Sequence, residues 1–576
     1  MSDQEEPPIG SEPPLRPERS LPSYGDPTPE THRKLSRETE AELALKNTAF
    51  APGTAPLLVL FFLITIVAVP LIQFTAEIRA AHSLQRLPTF TAFSALIPRG
   101  PSHHLRSMLD LGRLFPKADE IKSVQKTLER ESVVAQWLLP RVQSVLTGLL
   151  HAGNEQVYLG RGNWLFYRAD VDYATGEPFL DPFWIKRRTS GAGVQPDAVR
   201  AIVDFRDQLA RRGVDLIVVP IPVKPSIDGE MLAPGPSPSQ PFENASFPQF
   251  RARLESAGIR VFDPEPLLSQ QTSPSYLAAD THWRPGTMEL IAQQLAARIG
   301  TSRSAAPFQI SEKKIKGLGD VARMLKLPPA QLARYAQEVT IHQVTTPNGF
   351  WRPDKKADLL LLGDSFSNIF SLEALGWGES AGFAEHLSRA LGGRPIDCIL
   401  RNSDGAFATR EILSRELARG RDRLAGKKLV VWEFATRELA FGNWKLLHLA
   451  LGQPPPTHFF VPPPGQKIQV TGTVESISTV PAPGSAPYSD HIMALHLVDG
   501  QAAARAENEA WECLVYVWSM RDNVWTDAAR LKQGDQVSMR LQPWSDVSAQ
   551  LEKINRSEIE EPTVQLEEPC WGEFTN

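Results

Sequence analysis

A chain of 576 residues has room for three or four domains of ~150 residues. Its composition, 42% hydrophobic and 22% charged, excludes wholesale disorder, and a net charge of −5 offers no global field for nucleic acid. Three widely spaced cysteines (Cys398, Cys513, Cys570) with no CxxC exclude a cysteine zinc site or a disulfide-built scaffold.

The chain opens on a tail, 1–54, with Pro7, Pro8, Pro13, Pro14, Pro17 and Pro22 among acidic and basic residues. Such a stretch buries too little apolar surface to offset its ordering entropy, and disorder is expected there. Residues 47–76 then hold no charged side chain. About 20 apolar residues span the ~30 Å hydrocarbon core, so 55–76 is read as a single-pass anchor. The long preceding tail is unlike a cleavable secretory signal. Flanking charges are balanced, with Arg37 and Lys46 before and Arg79 and Arg86 after, which leaves the direction open.

Residues 77–150 are expected to form a helical neck, with Ile121, Val124 and Leu128 at helical spacing. From 151 to 452 helices alternate with short apolar runs. Val199, Ile202, Val203 and Leu209 form a helix stripe stopped at Gly213, followed by a strand at 214–219. Phe247, Phe250 and Leu254 mark a second helix, ended by Gly258 before a strand at 259–262. Met288, Ile291, Leu295 and Ile299 mark a third, and further strands are expected at 359–362, 396–400 and 429–434. This alternation predicts an α/β domain with a parallel sheet covered on both faces.

A Pro-rich linker is expected at 453–466 (Pro454, Pro455, Pro456, Pro462, Pro463, Pro464). Beyond it, 467–576 reads as a small β domain, an OB-like barrel or a sandwich, with strands at 468–474, 492–498, 513–518 and 536–541. Its aromatics, Trp511, Tyr516, Trp518, Trp525 and Trp544, suit either a sugar-binding platform or the core, and the core reading is favoured.

Two motifs can carry chemistry. In Leu362-Gly363-Asp364-Ser365 a buried strand and a glycine turn deliver a serine to the carboxyl edge of the sheet, where ligands of open α/β sheets sit. The helix that follows offers backbone N–H groups to an oxyanion, although Asp364 or Ser365 could equally be a helix cap. In Asp280-Thr281-His282, residues two apart on an extended segment face the same way. A serine nucleophile needs a base, and the base needs a carboxylate to fix its tautomer, so Ser365, His282 and Asp280 together make a candidate triad. A metal grouping of Asp280, His282 and Asp364 lacks further well-placed ligands, and no metal is expected.

These motifs, with Gly160–Tyr167 (GRGNWLFY), Val218–Pro225 (VVPIPVKP) and Val430–Leu439 (VVWEFATREL), resemble the SGNH-like alginate O-acetyltransferases of the AlgX/AlgJ type. The resemblance covers about 150–450 and includes the order of motifs, Asp-x-His ahead of the serine. It implies an SGNH-hydrolase-like fold, with Ser365 as nucleophile, His282 as general base and Asp280 as its orienter. It also implies a polysaccharide substrate and a multi-pass membrane acyltransferase partner that supplies the acetyl group. The anchor would then hold the catalytic domain on the periplasmic side of the inner membrane, with no cofactor beyond that donor or an activated ester.

Asn402 and Gly405, with the Ser365 N–H, are candidate oxyanion donors; Lys224 and Arg437 are candidate contacts for an anionic sugar. The alternatives are an acetyl esterase using the same triad with water as acceptor, and a non-catalytic polysaccharide-binding subunit of an export complex.

Overall fold

The computed structural model describes residues 54–80, positions 121 and 125, and 132–575 apart from short breaks at 191–193, 233–241, 301–307, 348, 419, 454–458, 482, 484–485, 487, 503–510, 560 and 566. The chain divides into two units, 1–99 and 100–576. The expected disordered tail lies outside the described residues, as do Val124, Leu128 and the first three linker prolines.

In the first unit, helix α1 (Thr54–Ala80) contains the uncharged stretch and runs through Pro70. Its segment Thr54–Arg79 has mean hydropathy 2.8 and is long and apolar enough to cross a membrane.

The second unit begins, among its longer described elements, with α2 (Val133–Leu149), capped by the Ser132 hydroxyl on the Ala135 N–H. Its centre is a five-stranded sheet of β1 (Asp215–Ile221), β2 (Arg260–Val261), β3 (Leu359–Gly363), β4 (Asp397–Leu400) and β5 (Leu429–Ala435). Every neighbouring pair is parallel, in the order β2-β1-β5-β3-β4. The apolar runs are continuous because both faces are covered. Leu359 and Leu361 of β3 point into one core, with α5 (Pro285–Ile299) and α7 (Phe383–Ala390). Leu360 and Leu362 point into the other, with α3 (Ala198–Ala210), α4 (Phe247–Ser256) and α8 (Ala408–Ala418). The period-two side-chain alternation of a strand produces that division.

The expected helix stops are present: Gly213 and Gly258 adopt φ of +69° and +76°, a region side-chain-bearing residues rarely occupy. Strand β2 is shorter than expected, two residues at the edge of the sheet. Chain order reverses beside β1, and β5 fills the place between β1 and β3. The carboxyl ends of β1, β5 and β3 therefore open onto one crevice, the place where such sheets bind ligands.

The C-terminal strands are β6 (Ile468–Ile477), β7 (His491–Ala502), β8 (Trp511–Arg521), β9 (Gln536–Pro543) and β10 (Pro569–Phe574). They pair in the closed order β6-β7-β8-β10-β9-β6, with β8 and β10 parallel and the other pairs antiparallel. This is a five-stranded barrel of OB type rather than a sandwich. Trp511, Tyr516 and Trp544 are buried, so these three serve the core and not an exposed platform. All three cysteines are buried and free.

Leu361 is fully buried between β5, β4 and the helices of one face. Leu361→Ala should lower unfolding stability by about 2–5 kcal/mol, whereas Leu451→Ala, at an exposed position, should stay within about 0.5 kcal/mol. Urea denaturation followed by circular dichroism distinguishes the two.

Candidate active site

The turn after β3 places Ser365 first in a one-turn helix, α6 (Ser365–Asn368). Asp364 is its cap: Oδ1 accepts the Phe366 N–H at 2.8 Å and Oδ2 accepts the Ala435 N–H at 3.0 Å from the end of β5. Beneath the turn, the buried Glu433 Oε2 accepts the Asp364 N–H at 3.1 Å and the Ser367 hydroxyl at 2.5 Å. Burial and the adjacent Asp364 charge push the Glu433 carboxyl well above its ordinary value. Gly363 has to be glycine: a Cβ there would lie 2.6 Å from Ser367 Oγ and 2.9 Å from Glu433 Oε2. With α6 only four residues long, its macrodipole is small.

The Asp280–His282 segment reaches the same crevice from the loop before α5. His282 Nδ1 lies 2.6 Å from Asp280 Oδ1, and Nε2 lies 2.8 Å from Ser365 Oγ. A proton on Nδ1, shared with the carboxylate, leaves Nε2 as the acceptor for the serine hydroxyl. Asp280 Oδ1 also accepts the His282 N–H at 3.0 Å, and Oδ2 accepts Trp377 Nε1–H at 2.9 Å and the Asp320 N–H at 3.0 Å. Burial alone would raise the Asp280 carboxyl, but the His282 charge and these hydrogen bonds outweigh it and hold the group below the usual carboxylate range. Burial disfavours the imidazolium, yet Asp280, with Asp320 behind it, raises His282 above its ordinary value. Trp283 fixes the register of the two segments by donating Nε1–H to the Phe366 carbonyl at 3.1 Å.

Asp320 and Trp377 were not singled out in the sequence. Asp320 accepts the Thr281 N–H at 2.8 Å and its hydroxyl at 2.7 Å, and burial with repulsion from Asp280 pushes it up to about 6. A Cβ on the preceding Gly319 would fall 2.0 Å from the Ala279 carbonyl oxygen, so only glycine lets this segment approach Asp280.

The ligand atoms of Asp280, His282 and Asp320 lie within 4.8 Å of one another. Thr281, Trp377 and backbone N–H groups already occupy the carboxylates. The metal grouping weighed from the sequence is not assembled, because Asp364 turns its carboxylate to Phe366 and Ala435 instead.

Two other sequence candidates sit differently from expectation. Lys224 is buried, and its ammonium donates to the carbonyls of Leu165, Leu277 and Ala278 at 2.7 Å each and of Asp280 at 3.1 Å. It pins the Asp280 loop from beneath and has no face toward a sugar; burial draws its pKa down to about 7. Asn402 is fully buried, its carboxamide accepting from Asn368 at 3.2 Å and donating to Asn555 of the barrel domain at 2.6 Å. Its amide is therefore engaged with the barrel rather than presented to the crevice.

Gly405 adopts φ +80° beside the Glu438 carboxylate, which accepts the Ala406 N–H at 3.1 Å. Arg437 pairs with buried Asp170 at 2.9 Å, and its guanidinium carbon stands 5.9 Å from the Phe366 ring centroid.

Residues 157–436 match the family described as the SGNH hydrolase-like domain of the acetyltransferase AlgX. This segment, just under half of the chain, is similar to the SGNH-like acetyltransferase domain of AlgX. The chain is 31% identical over 153 residues to the probable alginate O-acetylase AlgJ of Pseudomonas aeruginosa, covering 26% of this chain and 35% of the relative. It is 25% identical over 272 residues to the alginate biosynthesis protein AlgX of the same organism, covering 44% and 54%. It thus spans between a third and just over half of these relatives. Among solved structures, the O-acetyltransferase domain of Pseudomonas putida AlgJ aligns over 50% of this chain and 93% of its own, at 21% identity and TM-score 0.38.

Removing the Lys224 ammonium takes a donor from four carbonyls, of which that of Ala278 keeps the Leu165 N–H. Lys224→Met should destabilise the protein by about 3 kcal/mol or more, measured by thermal unfolding.

Proposed function

We propose that this chain is a membrane-anchored O-acetyltransferase that acetylates hydroxyls of an extracytoplasmic polysaccharide, alginate or a polymer like it, through an acyl-serine at Ser365. The observation that carries the reading is the unbroken Asp280–His282–Ser365 hydrogen-bond chain at 2.6 and 2.8 Å. The alginate O-acetylase names of the relatives support the acceptor class. The α1 helix supports the anchor; the direction, tail inside and catalytic domain in the periplasm, is the one the AlgX/AlgJ resemblance implies.

In this reading Ser365 Oγ attacks the acetyl carbonyl carbon as its proton passes to His282 Nε2. Collapse of the tetrahedral intermediate expels the donor's leaving group, which takes that proton. A sugar hydroxyl then gives its proton to His282, attacks the acyl-serine carbonyl, and Ser365 leaves reprotonated. Asp280 holds the ring and stabilises the imidazolium in both halves. No cofactor enters: the acetyl group comes from a multi-pass membrane acyltransferase or an activated ester. Arg437, beside the ring that follows Ser365, is the remaining candidate for steadying an anionic sugar, and the Ser365 and Gly405 backbone N–H groups for the developing oxyanion.

Incubation of the full chain in detergent with p-nitrophenyl acetate should add about 42 Da to Ser365 by intact mass and peptide mapping, as an acyl-serine requires. Ser365→Ala should show no adduct and lose acetyl transfer while retaining its fold. An unmodified Ser365 in folded protein would overturn the reading.

His282 must be neutral to accept the serine proton, and its pKa is raised above 6.5. Acylation should therefore rise with pH through that raised value and fall on the acid side. Asp280→Asn should move the inflection to lower pH and cut the rate by roughly two to four orders of magnitude, read from a pH–rate profile.

A further inference from the structure

Helix α2 is amphipathic in the inverted sense. The side it buries against the rest of the unit is polar: Gln143 and Thr147 are both buried. Gln143 Nε2 donates to Thr147 Oγ1 at 2.9 Å and to the Gly153 carbonyl at 3.2 Å, and Ser144 Oγ accepts from Gln331 at 2.5 Å. The opposite side carries Leu138, Val142, Val145 and Leu149, spaced by four, three and four residues, which puts them on one stripe of the helix. That stripe is exposed, Val145 to 54% and Leu149 to 74%. A helix that folds Gln143 and Thr147 inward and leaves Leu138, Val142, Val145 and Leu149 outside is built to meet something apolar.

The chemistry of the stripe selects a lipid surface. The helix has no acidic residue, and its single charge is Arg141. Arg141 lies at the shoulder of the stripe with its guanidinium 4.1 Å over the ring of Trp137, itself exposed. A tryptophan–arginine pair flanking an aliphatic stripe is the side-chain set of the bilayer interface. There the indole sits at headgroup level, and the arginine stem lies along apolar surface with its charge in water.

A second copy fits poorly: the stripe and Trp137 amount to about five side chains, against the roughly 20–30 residues a side of a stable protein interface. The chain also supplies proximity. Residues 81–131 connect α1 to the cap of α2 and reach at most about 180 Å when fully extended, so an anchored α1 keeps α2 at high effective concentration near the bilayer.

We infer that α2 lies along the phospholipid surface of the membrane that α1 crosses, with Leu138, Val142, Val145 and Leu149 in the acyl boundary and the Gln143–Thr147 side toward the catalytic domain. The inference rests on the anchored reading above and adds to it a second membrane contact, made by the catalytic unit itself.

The test places an environment-sensitive dye on single introduced cysteines of the full chain, Ile64→Cys in α1, Val145→Cys in α2 and Val524→Cys in the barrel. The native thiols are buried and should label slowly. Each variant is reconstituted in phosphatidylethanolamine–phosphatidylglycerol vesicles and quenched with acyl-brominated lipid or with aqueous iodide. The expected result is lipid quenching at 64 and 145, at least about twofold above that at 524, and iodide quenching at 524 only.

Lipid quenching at 64 with iodide quenching at 145 would overturn the interfacial helix and leave the anchor standing. Lipid quenching at 145 without it at 64 would sustain the helix and remove the anchor. Shielding of 145 from both quenchers would overturn the proposal in favour of a protein cover, either residues 81–131 or a second copy, which cross-linking from Val145→Cys would separate.

Discussion

Everything in the crevice depends on keeping one carboxylate charged where water does not reach. Asp280 is 1% exposed, and an unpaired ion there would take up a proton rather than stay ionised. It remains ionised because its two oxygens receive four donors: the His282 ring and backbone, the Trp377 indole and the Asp320 backbone. These donors arrive from three parts of the chain, so the charge is stable only when the loop before α5, the segment at 320 and the segment at 377 are all in place. Lys224 supplies the complementary constraint from below, holding the carbonyls of 277, 278 and 280 on one ammonium. The ionised Asp280 in turn fixes which nitrogen of His282 faces Ser365.

The serine side obeys the opposite rule. Glu433 is as buried as Asp280, but its neighbour is the like-charged Asp364, so its carboxyl is pushed up and it serves as hydrogen-bonding support beneath the turn. Two carboxyl groups of similar burial are thus shifted in opposite directions because their nearest neighbours differ.

What the sequence made legible follows from how local each signal is. The strands β1, β3 and β5 were readable because a strand buried on both faces is a continuous apolar run, and Leu359–Leu362 is such a run. Asp280 and His282 were readable because their relation is two residues long. Asp320 and Trp377 were not, since what matters about them is a meeting across 40 and 97 positions. Lys224, read as a sugar contact, and Asn402, read as an oxyanion donor, are both buried with partners remote in sequence, and burial is decided by the fold rather than by residue type. The closing strand β10, at 569–574, follows a helix and a loop, and its pairing partners β8 and β9 are remote enough that no local pattern announces the barrel's last stave.

The barrel bears on the crevice through the same kind of long-range pairing. Asn555 grips the Asn402 carboxamide, Arg401 donates to the Arg556 carbonyl, and Lys553 reaches Glu385 at 3.2 Å while its carbonyl accepts from Asn368. One short segment of the C-terminal domain, 553–556, therefore braces both the loop after β4 and the end of α6. A loop restrained from two domains loses less order when a substrate arrives than one held by its own turn alone. The fusion of an OB-type barrel to this sheet is thus more than a tether, because buried polar side chains of each domain bond to groups of the other, and losing those partners on separation would be costly.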